Sequence, residues 1–170
     1  MIPLELVGVR VELPANQPIV LLRDPDSGRY LPIWIGGAEA MSISSHLEGD
    51  VPPRPLTHQL LADTLRALGA ELEAVHLTDL REGTFYAELH LLSAGQEVVV
   101  SARPSDAIAV AIRLGAIPIL VDEELFAKVA IELGDVDVDS SDDASVDPED
   151  EVRRFRDFLE DLDPDDFLEG

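Results

Sequence analysis

Apolar and polar positions alternate in short, regular runs along the first 134 residues, and these runs predict a succession of strands and helices. Alternation with a period of two predicts a strand at 7–13, because successive side chains of a strand point to opposite faces of a sheet. Two more strands are predicted at 18–23 and 29–35, on either side of the turn sequence DPDSG. Helical spacing of apolar residues follows at 36–47 and 57–69. The pattern then predicts three strands, a helix, a short strand and a helix, at 72–80, 84–92, 97–102, 104–115, 117–121 and 122–134.

The second set of elements is similar to the first, which indicates an internal duplication of a βββαα unit with a period of about 66 residues. When THQLLADTLRALG is laid over DEELFAKVAIELG, Thr57 meets Asp122. When GGAEAMSI is laid over RPSDAIAV, Glu39 meets Asp106, so the duplication predicts that these two acids are related by internal symmetry. The predicted fold class is α+β, with a mixed β-sheet and helices.

The two aligned helices carry recognisable start and stop signals. Thr57 is the predicted N-cap of the first helix and Gly69 marks its end, while Asp122 and Gly134 have the same roles in the second. The predicted core-facing stripe of the first helix consists of Leu60, Leu61, Thr64, Leu65 and Leu68.

The charge of the chain divides it into regions. The net charge is -23, to which residues 1–133 contribute 19 acids and 9 bases and residues 134–170 contribute 16 acids and 3 bases. We expect one domain at 1–134 and an acidic disordered linker at 135–147, because like charges at this density cannot form a core. The acidic tail at 148–170 contains a predicted short amphipathic helix that docks on the core, on another subunit or on a protein partner.

Composition excludes several classes of function. The chain has no cysteine, which excludes disulfides, zinc–thiolate sites and thiol catalysis. No apolar run approaches the ~20 residues of a membrane span, and the N-terminus lacks a signal-peptide pattern, so we expect a cytoplasmic protein without a membrane partner. The acidity argues against broad electrostatic capture of nucleic acid, but it leaves room for a local arginine-lined site.

The stretch SARPSDAIAVAIRLGAIPIL at 101–120 holds the first candidate site, at the start of an apolar helix. Pro104 suits the first helical turn, and a carboxylate at Asp106 interacts favourably with the free N–H groups there. One alternative is therefore structural: these two residues and Ser105 stabilise the start of the helix. The alternative is chemical: Arg103 and Ser105 contact a phosphate, and Asp106 holds Mg²⁺ or steers Arg103. Both alternatives stay open at this stage.

Three further residues extend this hypothesis. Glu39 occupies the matching place in the first half, and paired carboxylates at Glu39 and Asp106 are the usual ligands of Mg²⁺ or Mn²⁺ in phosphodiester cleavage. His58 is the best candidate for a general base, while no histidine pair has a zinc spacing. Arg54, which like Arg103 precedes a helix start, would serve phosphate binding or salt bridges to an acidic surface.

Four strings occur in order along the chain: LPIWIGGAEAMSI, RPLTHQLL, DLREGTFYAELHL and SARPSDAIAVAIRLGAIPI. Together they resemble the bifunctional nuclease domain family of bacteria and plants, and the resemblance covers roughly residues 1–133. It implies a mixed sheet with helices built from a duplicated unit, a homo-oligomer, and nuclease activity toward RNA and DNA.

Two hypotheses about function follow. The first is a metal-dependent nuclease of low sequence specificity, with Asp106, Glu39 and His58 as catalytic residues. The second is a non-catalytic oligomeric module for regulation or binding, favoured by the acidity and by the absence of a recognisable catalytic signature.

Overall fold

The structure, a computed structural model, describes residues 1–12 and 16–132. Within them the chain forms eleven elements close to those that the apolar pattern predicts. In chain order they are β1 (Ile2–Glu12), β2 (Gln17–Arg23), β3 (Tyr30–Trp34), α1 (Gly37–Leu47), α2 (Thr57–Ala67), β4 (Ala70–Arg81), β5 (Thr84–Ser93), β6 (Gln96–Ala102), α3 (Pro104–Leu114), β7 (Ile119–Val121) and α4 (Glu123–Val129).

The strands form one mixed sheet in the order β3-β2-β1-β7-β4-β5-β6. Each half of the chain contributes an antiparallel three-stranded meander, and the short strand β7 joins the two halves. It runs antiparallel to β1 and parallel to β4. The predicted α+β class with a mixed sheet is confirmed, whereas the internal duplication stays a prediction.

Helix α3 is the centre of the fold. Its residues from Ala107 to Ala111 are all buried, because the helix contacts α1, α2, β4 and β5. A helix that is apolar on every side is stable only in such surroundings, and its alanines let the neighbouring helices approach closely. Ile108 is fully buried, so its truncation to alanine is expected to cost roughly 2–5 kcal/mol. This packing fixes the start of α3, where the candidate residues lie.

The prediction for helix α2 was wrong in its orientation and its cap. Leu60, Leu61, Thr64 and Leu68 are exposed, whereas Ala62 is buried in the core. Within the predicted stripe, Leu65 alone packs against the core, and it is half-buried. The reason is that α2 packs against the alanine-rich helix α3, and the small side chain of Ala62 lets the two helices approach closely. The N-cap position is taken by Leu56 instead of Thr57, without a side-chain hydrogen bond.

Helix α4 begins as predicted but ends earlier. The carboxylate of Asp122 accepts hydrogen bonds from the backbone N–H groups of Glu124 and Leu125, as expected for an N-cap. The helix stops at Val129, and Ile131 pairs with Tyr30 in an isolated antiparallel bridge. Tertiary pairing therefore ends this helix before the predicted stop.

Two predicted regions lie outside the described residues: the linker at 135–147 and the tail at 148–170 with its amphipathic helix. Gly134, the predicted end of α4, lies outside them as well. Among the residues that the structure does describe, no helix has the length and apolar character needed to cross a membrane.

Candidate functional site

The candidate residues meet where helices α1 and α3 begin. Gly36 is the N-cap residue of α1 and Arg103 that of α3, and both have extended backbone conformations. Glu39 and Asp106 are therefore each the third residue of their helix, within the first turn. A carboxylate is favourable there, since the first N–H groups of a helix are unpaired and its dipole is positive at this end.

Arg103 joins these two helix starts. Its Nε donates to Asp106 Oδ2 at 2.7 Å, and its Nη2 donates to Asp106 Oδ1 at 3.0 Å and to Glu39 Oε1 at 2.6 Å. The two carboxylates, Asp106 first, raise the pKa of the Arg103 guanidinium. These bonds leave the two N–H groups of Nη1 without a partner among the described residues, and the side chain is 66% exposed.

Glu39 reaches Arg103 because Gly36 has no side chain. A Cβ at Gly36 would lie 2.3 Å from Glu39 Oε2, so any larger residue would push the carboxylate away. The backbone N–H of Glu39 and then Arg103 hold the pKa of this carboxyl below its usual value.

Asp106 also binds a histidine. His58, in the first turn of α2, places Nε2 3.1 Å from Asp106 Oδ1 and Nδ1 2.8 Å from the hydroxyl of Ser42. An ionised carboxylate only accepts, so a neutral His58 carries its hydrogen on Nε2, and Nδ1 accepts the hydroxyl hydrogen of Ser42. Burial acts to raise the pKa of Asp106, but hydrogen bonds from Arg103 and His58 outweigh it and the pKa is lowered.

Sequence reasoning missed the inner end of this network. Arg113, near the end of α3, donates from Nη2 to the Ser42 carbonyl oxygen at 2.8 Å and to its Oγ at 3.0 Å, and from Nη1 to the Ala109 carbonyl oxygen at 2.6 Å. Burial lowers the pKa of this guanidinium. The available signal was a lone arginine in the apolar run AIAVAIRLG, because a buried cation must find acceptors.

The structure thus brings together Glu39, His58, Arg103 and Asp106, which we call the Arg103 cluster. Two other predicted residues are placed differently. Ser105 is buried in the first turn of α3 and lines the adjacent cleft. Arg54 is exposed on the segment between α1 and α2, and within the described residues it forms no hydrogen bond or ion pair with this cluster.

A cleft of about 420 Å³ lies beside Arg103 and is named here the Arg103 cleft. This volume falls within the ~300–1,000 Å³ typical of small-molecule sites. Four segments form its walls: the start of β2, the end of β3, the β4–β5 turn and the start of α3. The lining residues are Gln17, Ile33, Trp34, Ile35, Gly36, Gly83, Thr84, Phe85, Arg103, Pro104 and Ser105.

The donor set of the cluster does not fit a divalent cation as it stands. Within residues 1–12 and 16–132, no group of three or more histidine or carboxylate side chains is placed to hold a metal ion. Both oxygens of Asp106 and one of Glu39 already accept hydrogen bonds, so Mg²⁺ would have to displace the guanidinium of Arg103. The expected Mg²⁺ or Mn²⁺ stays a prediction.

Comparison with known proteins identifies a matching family and three relatives. A family model described as "Bifunctional nuclease domain" matches residues 20–134, a range that includes the whole Arg103 cluster. Two Mycobacterium tuberculosis proteins from different strains, "Uncharacterized protein MT1877" and "Uncharacterized protein Rv1829", are each 47% identical over 163 residues, which is 95% of this chain and 95% of theirs. "Bifunctional nuclease 2" of Arabidopsis thaliana is 30% identical over 113 residues, which is 65% of this chain and 34% of that protein.

Proposed function

The chain belongs to the bifunctional nuclease domain family, and from that premise we propose that it hydrolyses phosphodiester bonds in RNA and DNA with low sequence specificity. The observation that carries the proposal is the Arg103 cluster, whose arginine lines a cleft. A cytoplasmic location and a homo-oligomeric state accompany the proposal as predictions.

Arg103 has the geometry of a phosphate-binding group. Its Nε and Nη2 are fixed by Asp106 and Glu39, while Nη1 is left for the oxygens of a phosphodiester. Negative charge on those oxygens grows as a nucleophile attacks the phosphorus. A donor that is already held in place stabilises this charge without reorganising.

His58 supplies the general base in this proposal. Asp106 holds the ring with Nε2–H toward the carboxylate, so Nδ1 is the basic nitrogen. In the structure Nδ1 accepts from Ser42, whose hydroxyl is the first group able to pass a proton to it. Asp106 itself is a poor base because its pKa is lowered, and its role is to hold Arg103 and His58.

The charge of the cluster limits the affinity for phosphate. One guanidinium and two carboxylates sum to a charge of about -1 when His58 is neutral. Electrostatic attraction of nucleic acid is therefore weak, which leaves a role for a divalent counter-ion in solution. Digests with and without metal test that role directly.

A non-catalytic binding module is the second candidate, and one observation favours it. Ser42, His58, Asp106 and Arg113 form a chain of hydrogen bonds whose inner member, Ser42, is buried. Such a chain can hold three helices together without any chemistry. The two candidates differ in one measurable property, the turnover of phosphodiester bonds.

The test is a digest of end-labelled single-stranded RNA and DNA by the purified chain with Mg²⁺, Mn²⁺ or EDTA. Arg103→Ala is compared with Arg81→Ala, because Arg81 is 67% exposed, is paired with Asp79 at 2.6 Å, and belongs neither to the cluster nor to the residues that line the cleft. Loss of a transition-state donor is expected to slow cleavage about 10²–10³-fold in Arg103→Ala, while Arg81→Ala cuts at the rate of the unaltered chain. If the unaltered chain does not cut under any of these conditions, the binding module is the better account.

A further inference from the structure

We infer that the Arg103 cleft is a stacking subsite for one unpaired base of single-stranded nucleic acid, with Trp34 as the platform and Arg103 at the adjoining phosphate. This inference rests on the proposed function for the class of polymer. It adds a residue and a binding role that the catalytic cluster does not contain.

Trp34 is exposed in a way that suits a binding platform. It ends β3, an edge strand of the sheet, and 51% of its surface is accessible although it is a large aromatic residue. Its Nε1 donates to Glu12 Oε2 at 2.6 Å, so one edge of the indole is fixed against β1. A ring whose orientation is already set loses little conformational entropy when a ligand stacks on its face.

The chemistry of the cleft walls selects the ligand. Its apolar side chains include Ile33, Ile35 and Phe85, and among the described residues that line it Arg103 alone is charged. Within residues 1–12 and 16–132, no acid lines it, although the chain as a whole has a net charge of -23. A planar ring joined to an anion, as in a nucleotide, matches an aromatic and aliphatic wall with one guanidinium at its end.

Single strands fit this subsite and duplexes do not. A base inside a duplex is stacked and paired, so it cannot reach a cleft without leaving the helix at a cost in free energy. An unpaired base has a free face, and stacking on an aromatic side chain depends little on which base it is. The subsite would therefore bind single strands without reading sequence, consistent with the proposed low specificity.

Intrinsic fluorescence tests the inference, because Trp34 is the only tryptophan in the sequence and its emission reports on this cleft alone. The unaltered chain is titrated with ten-nucleotide oligo(dT) or oligo(U) in EDTA, and a gel checks that the oligonucleotide stays intact. Stacking predicts saturable quenching by the single strands, and at least tenfold weaker quenching by a duplex of equal length. Inorganic phosphate alone should not quench.

Variants separate the platform from a general surface effect. Anisotropy of a labelled oligo(dT) is expected to give an affinity at least tenfold weaker for Trp34→Ala and for Arg103→Ala. Trp34→Phe should keep most of the affinity, since a smaller aromatic face remains. The matched control is Tyr86→Ala, which removes another exposed aromatic residue that does not line the cleft, and its affinity should stay within twofold.

Several outcomes would overturn the inference: no quenching at saturating oligonucleotide, equal quenching by the duplex, or an unchanged affinity in folded Trp34→Ala. The digest of RNA and DNA distinguishes a failure of this inference from a failure of the proposed function. Cleavage without any effect of Trp34 removes the subsite and leaves the nuclease. Binding that depends on Trp34 without cleavage keeps the subsite and removes the nuclease.

Discussion

Arg103 Nη2 lies 2.6 Å from Glu39 Oε1, although 64 positions separate the two residues in the chain. This contact ties the start of α3 to the start of α1. Because Asp106 holds the same guanidinium from within α3, the position of Arg103 depends on two helices at once. The geometry of the cluster is therefore sensitive to small changes at either helix start.

Replacing Arg103 with lysine should separate the effect of the guanidinium's shape on cleavage from the effect of its positive charge. Lysine keeps the positive charge but cannot form the paired bonds to Asp106 together with the bond to Glu39. Arg103 is mostly exposed, so the loss in the free energy of unfolding should be no more than about 1 kcal/mol, measured in urea. Cleavage should nevertheless fall about 10²-fold. Arg81→Lys serves as the control, and equal cleavage by the two variants would contradict the role of Arg103.

The absence of a side chain at Gly36 is expected to determine where the Glu39 carboxylate lies. In Gly36→Ala the new methyl group would meet Glu39 Oε2 at 2.3 Å, so the carboxylate must turn away from Arg103. The backbone at Gly36 is extended and open to alanine, which keeps the cost in stability small. We expect slower cleavage and a Glu39 pKa, followed by NMR titration, that rises toward 4.5.

Gly37→Ala is the matched control for this substitution. A Cβ at Gly37 would meet nothing within 4 Å. Its cleavage rate and the Glu39 pKa should equal those of the unaltered chain. A Glu39 carboxyl that titrates alike in both variants would show that Gly36 does not govern its position.

Local signals in the sequence were sufficient for the elements and for part of the cluster. The proline at position 104 and acids at 39 and 106 mark helix first turns, and period-two alternation marks the strands. The overlay of the two halves suggested that Glu39 and Asp106 hold equivalent places, and each is the third residue of its helix. Such features depend on a few neighbouring residues, which is why a sequence can predict them.

Features that depend on tertiary neighbours could not be predicted in this way. The leucine stripe of α2 indicated its buried face, but the alanines of α3 select Ala62 for that contact. The pairing of Ile131 with Tyr30 ends α4 early. Ser42 looked like one more small residue of α1, and its bonds to His58 and Arg113 exist only because three helices converge there.

Ser42 is expected to stabilise the packing of these helices, in addition to its contact with Nδ1 of His58. Ser42→Ala leaves Nδ1 of His58 without its donor and takes one acceptor from Arg113, both in partly buried surroundings. A loss of about 1–3 kcal/mol in the free energy of unfolding should follow, measured by urea denaturation at pH 7. Ser45→Ala on the same helix is the control and should change stability by no more than about 0.5 kcal/mol.

Acid should weaken the fold through the two carboxylates of the cluster. The pKa values of Asp106 and Glu39 are lowered in the folded state from 3.8 and 4.5, so the unfolded chain binds more protons between the folded and unfolded values. The stability that these groups contribute is complete above about pH 5 and is lost as the pH falls through the folded pKa values. Asp106→Asn should reduce this loss, which is read from urea midpoints between pH 6 and pH 3. A variant with the same acid dependence as the unaltered chain would contradict the assignment.

A second acid-sensitive element lies in the sheet, at a higher pH. His76 of β4 and His90 of β5 stack with ring centroids 3.7 Å apart, and burial followed by the neighbouring His90 lowers the pKa of His76 from 6.5. The unfolded chain therefore takes up a proton at this group before the folded chain does. Stability is complete above pH 6.5 and falls as the pH drops below it.

His76→Gln should remove this loss between pH 7 and pH 5, because glutamine does not titrate. His90→Gln removes the stacked partner and should also flatten the profile, in part, since burial of His76 remains. Both are measured as the free energy of unfolding in urea at half-unit steps of pH. If the free energy of unfolding of His76→Gln falls with pH as steeply as that of the unaltered chain over this interval, other groups cause the loss of stability. The interval lies above the range in which Asp106 and Glu39 titrate, so the two acid effects can be separated in one series.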